Sequence, residues 1–508
     1  MGAVHSVALI GLNGHPVQVQ ADVGGGLPGM VLLGLPDASL NEARDRVRSA
    51  ARNAGAPLSN RRLTVNLVPA ALPKRGPSFD VAILIASLAA DGVLQVPPDV
   101  AFLGELGLDG SLMPLSGTLP SVLAVRSMGL KRCVVPAANL EEAALVPGLE
   151  VRGYAHISDL LESLGMPRSE LRWPDPGAGA RAALGASAED AGVRPDLSEV
   201  LGQPMGRRAL EIAAAGGHHL LLTGPPGAGK TMLAERLPGL LPQLNDEDSI
   251  ATTCVRSLGG LKIHELVRTP PFQAPHHTAS TPAMVGGGSG IPRPGAASLA
   301  HAGVLFLDEA PEFSARTLDA LREPLESGRL TLHRAAGTAS YPARFQLVMA
   351  ANPCPCGKPG RACECPAVVR RRYWSRLSGP LLDRVDLRVN VPAVRTREFI
   401  AGQKGESSAV VRGRVEEARA RQRARWASYG ESVNGRVPGS LLRSSDFLPS
   451  GEGQRVLDEV VRSYALTGRG VDRVLRIAWT LADLAGAESL LPEHLAEAAV
   501  LRGTAEAS

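Results

Sequence analysis

Eight consecutive residues restrict what this chain can fold into more than any others: Gly224-Pro225-Pro226-Gly227-Ala228-Gly229-Lys230-Thr231. The run His219–Thr223 just before them is short and apolar and predicts a buried strand. Met232–Leu237 just after them reads as the opening of a helix. A glycine-rich loop between a strand and a helix can turn its backbone N–H groups inward around phosphate oxygens, and the helix N-terminus adds a favourable dipole. Lys230 is then placed to bridge the outer phosphates, and Thr231 to hold Mg2+ through its hydroxyl. Only six of the 508 residues are lysines, so a lysine at this one position is informative. The expected ligands are ATP and Mg2+.

Further blocks extend the pattern. Val304-Leu305-Phe306-Leu307-Asp308-Glu309 reads as a buried strand ending in two carboxylates. Asp308 fits the Mg2+ shell, and Glu309 is placed to orient and deprotonate an attacking water. A third strand, Phe345–Ala350, leads to Asn352, a polar tip that can sense a γ-phosphate or cap the next turn. Farther on, Arg384 precedes another strand. In a ring it would stabilise charge on a neighbour's transferring phosphoryl group; by spacing alone it can equally pair with Asp383 or Asp386.

These blocks resemble the YifB/ComM family of magnesium-chelatase-like AAA+ ATPases. The likeness runs nearly end to end, and its most specific stretches are Arg208–His218, Ala274–Thr278, Val285–Ser289, Leu299–Glu309 and Ser378–Leu387. The resemblance implies a hexameric motor with Asn352 as first sensor, Arg384 as arginine finger and Arg469 as a lid arginine contacting nucleotide of its own subunit. It also implies DNA, single-stranded or branched, as partner, with branch migration during natural transformation as the activity. A metal-chelatase motor subunit and a protein-remodelling chaperone are the alternatives. Ala310 and Trp479 stand where family members usually carry Leu and Arg, and Trp479 bears on the outward contacts of its helix.

The expected fold class is α/β and multidomain: an N-terminal Lon/S5-like α+β domain over residues 1–170, a Gly/Ala/Pro/Ser-rich linker over 171–195, a P-loop AAA+ core over 196–395 and a helical lid over 396–508. In the N-terminal part, Val4–Leu12 and Val17–Val23 read as strands around a turn at Asn13–Pro16. Asp37 can cap a helix whose apolar positions Leu40, Ala43, Val47, Ala50 and Ala54 run to Gly55. The likeness to Lon protease domains places a serine, Ser78, at the nucleophile position, but Gly117–Leu123 holds no partner lysine. Without activation that serine is a poor nucleophile, so proteolysis is not expected.

Four of the six cysteines, Cys354, Cys356, Cys363 and Cys365, cluster in an insertion over residues 353–366. Four thiolates can close a tetrahedral Zn2+ site, whereas the bland alternative is a reduced surface loop. His276, His277 and Arg293, and Arg329, Arg334 and Arg344 around a second hairpin, are candidates for contact with DNA or for bonding within their own loops. The six arginines of Val410–Trp426 read instead as a solvated face with Glu417–Arg421 and Glu416–Arg419 pairs. A net charge of +4 does not by itself announce nucleic acid. The longest apolar run, Val81–Ala90, falls short of the ~20 residues a spanning helix needs. No secretory signal is visible, and the myristoylation-like start is read as part of the first strand, so a cytoplasmic protein without membrane contact is expected.

Overall fold

The computed structural model describes residues 1–34, 37–70, 72, 74, 76–174, 195–288, 292–334, 337–358, 362–393 and 405–503, with side chains omitted at 37–40. Most of the expected linker and the first residues of the expected lid therefore lie outside the described residues.

The N-terminal third is organised by one mixed sheet. Its strands are β1 (Gly2–Ile10), β2 (Asn13–Gly24), β3 (Gly29–Leu33), β4 (Arg62–Val68), β5 (Val100–Phe102), β8 (Arg132–Pro136) and β9 (Glu150–Tyr154), in the order β3-β4-β2-β1-β5-β8-β9. A small antiparallel pair, β6 (Glu105–Leu106) and β7 (Leu112–Met113), lies beside it. The first turn differs from expectation. β1 and β2 pair from Gly2↔Ala21 to Ile10↔Asn13, so the chain reverses at Gly11-Leu12, and Asn13–Pro16 are strand residues. Gly11, at φ 63°, supplies the left-handed backbone that a two-residue reversal needs. Pro16 is tolerated because β2 acquires its second neighbour, β4, only from Gln18 onward. The helix Asp37–Asn53 follows the expected rhythm: Ala43, Val47, Ala50 and Ala54 are buried, and Gly55 reverses the backbone.

The central part is a parallel sheet. β10 (Leu220–Thr223), β11 (Phe272–Gln273), β12 (Val304–Leu307), β15 (Gln346–Ala351) and β16 (Leu387–Asn390) lie in the order β11-β12-β15-β10-β16. Alternation explains why these short strands are apolar throughout. Leu220, Leu222, Val304, Phe306, Val348 and Ala350 face one hydrophobic cluster. Leu221, Leu305, Leu307, Leu347 and Met349 face a second on the other side. An antiparallel hairpin, β13 (Arg329–Arg334) and β14 (Gly337–Pro342), projects between β12 and β15 in the sequence.

The C-terminal helices Ser408–Trp426, Glu452–Ser463, Gly468–Ala485 and Pro492–Arg502 join the first cluster through the helix Pro204–Gly216. The reading of Val410–Trp426 as a solvated face is corrected here. Glu417 and Arg421 do pair, but Arg419 reaches the Ala214 carbonyl at the end of Pro204–Gly216. Arg414 binds Glu211, and Arg425 binds the buried Asp483. Cations at a helix C-terminus satisfy carbonyls that lack partners within the helix, which is what Arg419 does here. Trp479 does not point outward. It is buried against Trp426 and Phe447, its indole N–H donates to the Phe447 carbonyl at 3.1 Å, and the Arg425 guanidinium lies 4.1 Å over its ring.

The N-terminal unit docks on the central one through the stretch where a partner lysine would sit. Gly117 donates to the Ser257 carbonyl, and Glu142 accepts both the Leu119 N–H and the Ser257 hydroxyl. Cys254 completes an apolar cluster with Leu119, Val122 and Cys133. Lys74, four residues before Ser78, is buried with its ammonium spent on the carbonyls of Pro69 and Leu72.

Candidate functional site

The parallel order puts β15 between the P-loop strand β10 and the acidic strand β12, so all three deliver their C-terminal ends to one edge. Gly224 leaves β10 so close to β16 that a Cβ there would lie 2.1 Å from the Val391 oxygen, which excludes any larger residue. The helix Lys230–Leu240 begins directly after the loop.

On that edge the Lys230 ammonium donates to the carbonyls of Gly224 (2.8 Å) and Pro225 (2.9 Å) and to Asn352 Oδ1 (3.1 Å). The Thr231 hydroxyl donates to Asp308 Oδ2 at 2.7 Å, and Asp308 Oδ1 accepts the Glu309 N–H at 2.9 Å. Lys230 and Thr231 at the helix start thus meet Asp308, Glu309 and Asn352 from two strand ends around one loop. Burial lowers the Lys230 pKa, with Asp308 and Glu309 acting in the opposite direction. A hydroxyl and a carboxylate in mutual contact at the start of a helix form the hard oxygen donor pair that Mg2+ takes alongside phosphates and water.

The surroundings of Glu309 and the anchoring of the P-loop by Gln203 were not legible in the sequence. Glu309 adopts a left-handed backbone, φ 49°, uncommon for a residue with a side chain. His277 Nδ1 lies 3.2 Å from Glu309 Oε2, and its ring packs on His276 at 4.1 Å between centroids. His276 in turn bonds Thr278 within the loop at 2.8 Å. Gln203, buried in a left-handed conformation, donates to the carbonyls of Ala228 and Pro392, pinning the far side of the P-loop to the end of β16. The only sequence signal for Gln203 was its place beside Gly202, before Pro204 at a helix start.

Arg384 and Arg469 lie elsewhere. Both line a cleft of about 790 Å3 whose walls include His219, Gly303 and Gln346, at the N-terminal ends of β10, β12 and β15. Arg384 sits just before β16, which runs parallel to β10 in the register Leu220↔Leu387. The P-loop is at the other end of those strands. Arg469, expected to contact nucleotide of its own subunit, stands where the helix Gly468–Ala485 starts, at the N-terminal edge of the sheet. Arg384 pairs with neither Asp383 nor Asp386. Its guanidinium reaches Glu326 and the Pro380 carbonyl, and its buried Nε has no hydrogen-bond partner among the described residues. Asp386 is engaged by His218 at 2.9 Å and by Arg473, which also donates to the Arg384 carbonyl at 3.1 Å. Burial alone would raise the Asp386 pKa, but Arg473 and His218 hold its carboxyl well below the usual range.

Cys354, Cys356, Cys363 and Cys365 converge, with all four sulfurs within 4.8 Å of one another. Neighbouring sulfurs stand 3.1, 3.2 and 3.7 Å apart. A tetrahedron of thiolates around Zn2+ at ~2.3 Å has edges of roughly 3.8 Å, so the cluster brackets that geometry. The C-x-C spacing does not prevent convergence. Residues 359–361 of the insertion lie outside the described residues. Among the described residues, no helix is long and apolar enough to cross a membrane.

Comparison with known proteins agrees with this architecture. Residues 196–399 match the family model described as magnesium chelatase, subunit ChlI. Residues 19–139 match that of subunit ChlI of Mg-chelatase, and 405–502 match the ChlI C-terminal model. A protein of Mycobacterium tuberculosis is 49% identical over 99% of both chains. YifB of Escherichia coli is 41% identical over 99% of this chain and 97% of its own, and competence protein ComM of Haemophilus influenzae 39% over 98% and 96%. Lon protease of Mycolicibacterium smegmatis is 28% identical over 33% of this chain and 23% of its own. The chain belongs to the YifB/ComM family of magnesium-chelatase-like AAA+ proteins.

Proposed function

We propose that this protein hydrolyses ATP in a closed ring, a hexamer, and couples hydrolysis to movement along single-stranded or branched DNA. The observation that carries the ring is the separation of Arg384 and Arg469 from the P-loop of their own chain. An arginine acting at the γ-phosphate beside Lys230 would then come from an adjoining copy. Lys230 and the loop amides hold the phosphates. Thr231 and Asp308 hold Mg2+, which neutralises charge between the outer phosphates. Glu309 takes the proton of the attacking water, and Asn352, already bonded to Lys230, fixes the γ-phosphate side of the site.

DNA as the track is supported by the kinship with competence protein ComM and by the hairpin β13–β14, which exposes Arg329, Arg334 and His333. Single-stranded or branched DNA should stimulate hydrolysis, and the protein should move a three-strand junction. If no DNA form raised the rate or moved a junction, protein remodelling would replace this reading. The cysteine cluster fits a structural Zn2+ ion.

His277 restrains Glu309 from the loop after β11. A contact between part-exposed groups of this kind is worth at most about 1 kcal/mol, so His277→Ala should raise the rate without DNA up to about fivefold and blunt stimulation by DNA. His277→Asn keeps a donor near the same place and should retain control. Steady-state rates with and without DNA check this, and an unchanged ratio in the alanine variant refutes it.

A further inference from the structure

The thiol cluster and the ATP site are joined by two contacts along one short stretch of chain. Asn352, at the end of β15, accepts from the P-loop Lys230 at 3.1 Å. Two residues later Cys354 is buried, and Trp374 holds the intervening Pro353 carbonyl at 3.1 Å. Gly357 closes the knuckle, with its N–H on the Cys354 carbonyl at 3.0 Å and φ at 71°. Its backbone packs so tightly on the P-loop that a Cβ there would lie 2.6 Å from Cγ of Pro226. The segment that presents Cys354 and Cys356 thus touches the phosphate loop at Lys230 and at Pro226.

We infer that the four-thiol site is coupled to ATP: a soft tetrahedral cation such as Zn2+, bound by Cys354, Cys356, Cys363 and Cys365, tightens nucleotide binding at the P-loop of the same chain. The inference rests on the ATP-site and zinc readings above. Chelation draws the second cysteine pair onto the first and fixes the knuckle, and with it the placement of Asn352 and Gly357 against the loop. Without the cation no bond holds the four thiols at their common centre, and ordering the knuckle falls to nucleotide binding, which weakens it. Coupling between two sites is reciprocal, so ATP must tighten zinc by the factor that zinc tightens ATP.

Full-length protein is prepared zinc-loaded and, with a chelator and a reductant, metal-stripped, with Mg2+ restored in both. Binding of a non-hydrolysable ATP analogue to the stripped form should weaken about tenfold, within the 5–150-fold span of such couplings. Competition against a zinc chelator should show the same factor when the analogue is added. Gly357→Ala keeps all four thiols but forces the knuckle off Pro226. It should still hold zinc, with the coupling factor falling toward one. Cys363→Ser should lose zinc and bind the analogue as the stripped wild type does. Stoichiometric zinc with equal analogue affinity in both forms would overturn the coupling. Negligible zinc in the wild type would overturn the metal site itself, and failure of the zinc-loaded form to bind the analogue would overturn the ATP reading.

Discussion

Lys230→Ala should leave a folded protein with no measurable ATP turnover. At the C-terminal edge of the sheet the ammonium bonds the P-loop carbonyls and Asn352 together. Removing it leaves three oxygens facing the phosphates with no positive charge between them. Truncating one partner of a desolvated charge pair typically costs about 2–5 kcal/mol, or roughly 30- to 4000-fold, before any loss specific to the transition state is added. The fold should survive, because Lys230 belongs to neither hydrophobic cluster that flanks the central sheet. Single-turnover hydrolysis and analogue binding, with circular dichroism as the control for folding, measure the effect. Turnover within tenfold of wild type would remove Lys230 from the mechanism.

Arg384→Ala should lower turnover about 10³-fold or more, the usual contribution of an arginine supplied across a subunit boundary. Nucleotide affinity should change little, since the side chain is remote from its own P-loop. The decisive form of the experiment mixes two inactive variants, Arg384→Ala and Glu309→Gln. In rings assembled at random, roughly a quarter of interfaces would then join an intact Glu309 to a neighbour's intact Arg384, and activity should return. A mixture as inactive as its components would place Arg384 outside any shared site. Glu326, which pairs with Arg384 in the isolated chain, is the group that must release it at such an interface.

What could be read from the sequence was local. The strand, loop and helix around Gly224–Thr231 are contiguous, so composition and order were enough to expect them, and the apolar runs of β12 and β15 announced a parallel sheet in the same way. The unread contacts join positions far apart in the chain. Arg419 seeks the carbonyl of Ala214, Arg425 seeks Asp483, and His277 meets Glu309 across neighbouring strand ends. An i,i+3 rule assigned Arg419 to Glu416 because no sequence window contains the end of the helix it completes. The Asn13–Pro16 expectation failed for the opposite reason. Local turn propensity was outweighed by the ladder pairing of β2, which begins right after Gly11-Leu12. The position of Arg469 was not legible, because the orientation of the C-terminal helices depends on the face they cover, here that of Pro204–Gly216.

Arg473 holds the main chain at Arg384 with the same guanidinium that neutralises Asp386, and Asp386 is tied through His218 to Thr480 on the same lid helix as Arg473. Helix and Arg384 are thus clamped into one mechanical piece. In the proposed ring, a tilt of the C-terminal bundle would swing that positive tip with it, so the angle of one protomer's lid would set whether its neighbour can fire.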